Sequence, residues 1–62
     1  MPYVTIKFME GRKDEDKIVL VEKVTEAVAT SLKVNPDNVR VELNELKEGT
    51  FAISGEMVKR IE

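Results

Sequence analysis

Tyr3-Val4-Thr5-Ile6-Lys7-Phe8-Met9 alternates, with Val4, Ile6 and Phe8 on one side and Tyr3, Thr5, Lys7 and Met9 on the other. Successive side chains of a strand point to opposite faces, so this stretch predicts a strand with one face on a core. Alternation returns at Val39, Val41 and Leu43, which are interleaved with Arg40, Glu42 and Asn44. Between the two stretches, Leu20, Val24, Val28 and Leu32 step by four, flanked by Ile18, Val21, Ala27 and Ser31. That spacing predicts one helix of about five turns, ending near Lys33. A strand, a long helix and a second strand make a β-α-β unit of the α/β class, with parallel strands and a right-handed crossover.

The connections fit this order. Glu10-Gly11-Arg12-Lys13 joins strand to helix, with Gly11 free to take a positive φ. Asp14-Glu15-Asp16 places acids where a helix N-terminus favours negative charge, and Asp14 is the best available N-cap. Pro36 biases Asn35 away from helical geometry, so Val34-Asn35-Pro36-Asp37-Asn38 reads as a turn. Gly49, then Thr50-Phe51-Ala52-Ile53, then Ser54-Gly55 suit a short C-terminal hairpin arm. An arm exposing Phe51 and Ile53 calls for a neighbouring subunit to cover it.

Length and composition bound the rest. Residues 1–62 suffice for a single domain, and a domain of this size buries only roughly 60% of its unfolded surface. Without Cys or His there is no disulfide and no ready zinc site to reinforce it, which leaves self-association. A net charge of −2, with acids and bases interspersed, provides neither a basic stripe for nucleic acid nor a polybasic membrane patch. The start Met-Pro-Tyr-Val-Thr-Ile lacks the charged and apolar regions of a signal peptide, so the expected location is cytoplasmic.

Most catalytic constellations are excluded by the lack of His, Cys and a phosphate-binding Gly-rich loop. Glu42, Glu45 and Glu48 read as solvated surface, and no metal or cofactor is called for. Two features remain: Pro2, directly after Met1, and two arginines, Arg12 at the end of one strand and Arg40 within another. Each has an ordinary reading beside the chemical one. Pro2 suits the start of a strand, Arg12 a solvated turn, and Arg40 a pair with Glu42 or a helix acid. Met9 and Phe51 suit a core or an interface equally well.

The order of short segments adds more. Pro2-Tyr3-Val4, Glu10-Gly11-Arg12, Glu22-Lys23-Val24-Thr25-Glu26-Ala27-Val28, Val39-Arg40-Val41 and Phe51-Ala52-Ile53-Ser54-Gly55-Glu56 follow one another in this order along the chain. Together they resemble the 4-oxalocrotonate tautomerase family over nearly the whole chain. The resemblance implies a homo-hexamer, a trimer of dimers, acting on a small anionic 2-hydroxy or 2-oxo acid such as 2-hydroxymuconate. It implies Pro2 as general base, once Met1 is removed, and Arg12 as the holder of a substrate carboxylate. Arg40 would reach in from a neighbouring subunit to polarise the 2-oxo or 2-hydroxy end, and Phe51 would form an aromatic wall beside Met9.

The chemistry implied is physically coherent. A pyrrolidine nitrogen is more basic than a primary α-amine of pKa about 7.7–8.0, so it must be depressed to act as a base. An apolar wall of Phe51 and Met9, and the guanidinium groups of Arg12 and Arg40, both disfavour the ammonium. If Met1 is retained, the Pro2 nitrogen is an amide and the route is closed. The sequence also departs from the family: Lys13 replaces a Ser, Thr50 a His, and Ala52 and Ser54 each a Gly. Ile53 stands where a related dehalogenase carries a water-activating glutamate, which makes hydratase or dehalogenase chemistry the lesser alternative. The alternative outside enzymology is a non-catalytic α/β assembly module.

Overall fold

The computed structural model describes residues 1–59, so the last three residues of the expected 1–62 domain lie outside the described residues. Strand β1 (Tyr3–Met9) leads into helix α1 (Asp14–Leu32), a single 3-10 turn at Pro36–Asn38, and strand β2 (Arg40–Leu46). A hairpin of β3 (Ala52–Ile53) and β4 (Glu56–Met57) follows. β1 and β2 are parallel and in continuous register from Tyr3 opposite Arg40 to Met9 opposite Leu46. Val4, Ile6, Phe8, Val41 and Leu43 are half-buried, while Tyr3, Thr5, Lys7, Arg40, Glu42 and Asn44 are exposed. Both alternations thus read correctly except at Met9, which the pattern places on the face away from the core and which is buried, and the long crossover helix is the reason the strands can run parallel.

Two details differ from the sequence reading. Asp14 is the first helical residue and not the N-cap; Lys13 holds the cap position in an extended conformation, without a side-chain cap bond. The start of α1 relies instead on Asp14, Glu15 and Asp16 in its first turn, where carboxylates face the positive end of the helix dipole. The apolar stripe also drifts. Leu20, Val21, Val24, Val28 and Ala29 turn inward, whereas Ile18 and Ala27 stay exposed and Leu32 is 61% exposed. Steps of four overshoot a 3.6-residue turn by about 40° each, which carries Leu32 roughly 120° from Leu20. Lys33 ends the helix in the left-handed conformation, and its N–H and that of Val34 both reach the Ala29 carbonyl.

An ion pair ties the helix to the sheet. Lys17 Nζ lies 2.5 Å from Glu45 Oε2 on β2 and 3.4 Å from Asp14 Oδ1 one turn earlier. The Glu45 hydrogen bond, supported by Asp14, raises the Lys17 pKa above the ordinary lysine value, against a smaller opposing effect of desolvation. A pKa raised by folding stabilises the native state below the unfolded pKa, and that contribution disappears as pH rises through the folded one. Urea midpoints should therefore fall as pH rises from the ordinary lysine value of 10.5 through the raised one, and Glu45→Gln should flatten part of that fall. An identical pH profile in Glu45→Gln would remove the pair from the account.

The core is thin: only Met9 (6% exposed) and Ala29 (8%) are buried among the described residues. The chain exposes 5002 Å², against about 4,000 Å² for a compact monomer of this mass. Its radius of gyration is 14.1 Å, where a compact chain of this length gives about 10.6 Å. The strands of the hairpin pair with each other (Ala52 opposite Met57, Ile53 opposite Glu56) and approach no other element. Ser54 and Gly55 form its turn with φ of 53° and 84°. Both central residues are left-handed, as a two-residue hairpin turn matching the strand twist requires. Ser54 thus adopts the conformation that glycine takes freely, and the departure from the family's Gly leaves the hairpin intact.

Candidate active site

Pro2 is half-buried at the head of β1, and its carbonyl accepts the Arg40 N–H at 3.0 Å. A proline fits there because no ladder hydrogen bond needs its missing N–H. The 3-10 turn delivers Arg40 to this position. Asn35 accepts the Asp37 N–H on its side-chain oxygen at 2.8 Å, and Val39 N–H donates to the Pro36 carbonyl at 3.1 Å. Arg40 Nη1 then donates back to the Asp37 carbonyl at 2.9 Å. That bond uses one of the five guanidinium donors on a neutral acceptor, so it orients the group without cancelling its charge.

The remaining candidates lie at the other end of the sheet. Met9 is buried opposite Leu46, and Gly11, with φ of 111°, turns the chain into Arg12. Arg12 borders an open depression of about 220 Å³ with Ile6, Phe8, Asp16, Lys17 and Leu20. No hydrogen bond or ion pair joins Arg12 to another described residue. Phe51 stands just before β3, partly exposed, its carbonyl accepting the Val58 N–H at 2.8 Å. One chain therefore pairs the backbones of Pro2 and Arg40, turns the Arg40 guanidinium to the Asp37 carbonyl, and leaves Arg12 and Met9 at the far end. β1 has seven residues, and at about 3.3 Å per residue it holds Pro2 and Arg12 roughly 20 Å or more apart.

The sequence reading missed two connections. Lys17 had a partial local signal, since Asp14 precedes it by three positions on the helix. Glu10 had none: its carboxylate accepts the backbone N–H of Glu48 at 3.2 Å, a pairing between residues distant in the chain. Among the described residues no group of three or more His, Cys, Asp or Glu side chains is placed to hold a metal ion. No described helix is long and apolar enough to cross a membrane.

Comparison with known proteins is consistent across sequence and structure. The family described as "Tautomerase enzyme" matches residues 2–61. A protein named a probable tautomerase, from Halalkalibacterium halodurans, is 47% identical over 58 residues, covering 94% of this chain and 95% of its own. The 2-hydroxymuconate tautomerase of Bacillus subtilis is 42% identical over 62 residues, the whole of both chains. Among solved structures, a 4-oxalocrotonate tautomerase isozyme from Methylibium petroleiphilum superposes with a TM-score of 0.87 at 39% identity, over 90% of this chain and 88% of that one. A heterohexameric 4-oxalocrotonate tautomerase from Chloroflexus aurantiacus superposes with a TM-score of 0.87 at 26% identity, over 92% of each chain.

Proposed function

The chain belongs to the tautomerase family, and on that premise we propose that it interconverts the enol and keto forms of a small unsaturated 2-hydroxy or 2-oxo acid, with the Pro2 amine as general base. The observation that carries this reading is the end-to-end alignment with a 2-hydroxymuconate tautomerase, in a chain that holds Pro2 at the head of β1 with its carbonyl paired to the Arg40 backbone N–H. In the enol-to-keto direction the Pro2 nitrogen takes the hydroxyl proton. The C–O bond becomes a carbonyl as the conjugated double bonds shift, and Pro2 returns the same proton to carbon. No proton or electron is lost overall. A guanidinium at the 2-oxygen meets more negative charge in the transition state than in the ground state, which is where an interaction accelerates the reaction.

On this reading the chain is one tautomerase-like domain over residues 1–62, works in the cytoplasm, and forms a homo-hexamer. Association is the means by which the site is completed: Arg12 and Met9 stand about a strand's length from the Pro2 of their own chain, and Arg40 and the Phe51 arm reach in from neighbouring subunits. Exposed Phe51, Ile53 and Met57 on the hairpin supply apolar surface for it. Ile53 supplies no water-activating carboxylate, so isomerisation is favoured over hydration.

Arg12 provides the test. If it grips a substrate carboxylate throughout the reaction, Arg12→Ala raises KM for 2-hydroxymuconate roughly 10- to 100-fold, the value of a charge-assisted hydrogen bond, while kcat changes little. A substrate analogue lacking the second carboxylate should lose little or nothing from the same substitution if Arg12 holds that group. Unchanged KM for the dicarboxylate would remove Arg12 from the site.

A further inference from the structure

We propose that Glu10 is a positioning residue, whose carboxylate clamps the root of the hairpin arm to the Gly11-Arg12 corner and so sets Arg12 and Phe51 relative to each other. The inference rests on the reading that Arg12 and Phe51 serve the site.

Glu10 ties the far end of the sheet twice. Its N–H donates to the Leu46 carbonyl at 2.9 Å, extending the parallel ladder one residue beyond β1. Its side chain then reaches two residues further along the partner strand, where Oε2 accepts the Glu48 N–H at 3.2 Å. Glu48 belongs to the turn that leads into the arm. That turn is closed on itself, with the Thr50 N–H donating to the Lys47 carbonyl at 3.0 Å and the Thr50 hydroxyl donating to the same oxygen. A self-closed turn moves as a unit, so one bond at Glu48 fixes all of it. Phe51 follows directly, and Arg12 is two residues after Glu10. Glu10, Gly11, Glu48 and Lys59 also line one small recess of about 180 Å³.

The bond needs an acceptor oxygen at residue 10 and not a charge as such. Glutamine offers a carbonyl oxygen at the same reach, while alanine offers nothing. The decisive experiment compares Glu10→Ala and Glu10→Gln in the full-length, Met1-free protein. Limited trypsin cleavage after Lys47 reports how firmly the turn is held, independently of catalysis. In Glu10→Ala, cleavage at Lys47 should quicken about tenfold, relative to cleavage within α1, for loss of a hydrogen bond to a charged acceptor. KM for 2-hydroxymuconate should rise about tenfold as well, with kcat within about threefold, since Arg12 is displaced and not removed. Glu10→Gln should restore both readouts to within about threefold of the parent.

Unchanged Lys47 cleavage in Glu10→Ala overturns the clamp, and so does a Glu10→Gln protein as impaired as Glu10→Ala. Failure of the tautomerase reading looks different: the parent protein itself would be inactive on 2-hydroxymuconate while Lys47 cleavage still responded to Glu10→Ala.

Discussion

Protein that keeps Met1 is expected to ketonise 2-hydroxymuconate about 10²- to 10⁴-fold more slowly than protein beginning at Pro2, the range a positioned general base contributes. The reason is electronic. In the Met1–Pro2 peptide the nitrogen lone pair is delocalised into the carbonyl, and an amide nitrogen does not accept a proton at neutral pH. Met1 is 69% exposed, so its removal uncovers Pro2 without disturbing packing, and the fold should be the same in both forms. Intact mass identifies each form, circular dichroism confirms equal helix content, and a stopped assay of enol disappearance compares rates. Equal rates would exclude Pro2 as base, and rates in both forms no faster than the uncatalysed reaction would favour the non-catalytic assembly module.

Arg40→Ala should lower kcat about 10²- to 10³-fold, the usual consequence of removing a group that stabilises a developing oxyanion. KM should change much less, which distinguishes Arg40 from Arg12. The structure adds a reason for Arg40→Lys to be a poor substitute. Arg40 uses Nη1 on the Asp37 carbonyl and keeps its remaining donors on the same rigid plane. A lysine that made the Asp37 bond would commit its single charged centre to it. Arg40→Lys should therefore recover no more than about a tenth of the lost kcat. A larger effect on KM than on kcat in Arg40→Ala would reassign Arg40 to ground-state binding.

The three predictions concerning Met1, Arg12 and Arg40 separate base, binding and polarisation. Only the last two depend on how copies associate. Light scattering on each variant is therefore a necessary companion measurement, because an arginine variant that fell apart into monomers would lose activity for a different reason.

Much of this protein was legible in its residues. Alternation in Tyr3–Met9 and from Val39 onward placed both strands, because a strand's two faces differ in every second side chain. The length of the apolar run between them required a crossover helix, and Ser54-Gly55 marked the hairpin turn. The residues of the candidate site were also nameable, through the resemblance that their order carries. Local rules failed where the period was misjudged, as at Leu32, and where a charged run did not contain its own cap, as at Lys13 and Asp14.

What local sequence determined is what neighbours along the chain decide: strand, helix, turn and the identity of Pro2, Arg12 and Arg40. The tertiary structure alone decided which of these meet. Parallel pairing in a fixed register seats Pro2 beside Arg40 and puts Arg12 a strand's length away. It also brings Glu10 to Glu48, and Lys17 to Glu45. Those meetings depend on distances between residues tens of positions apart, and no periodicity in a single segment encodes them.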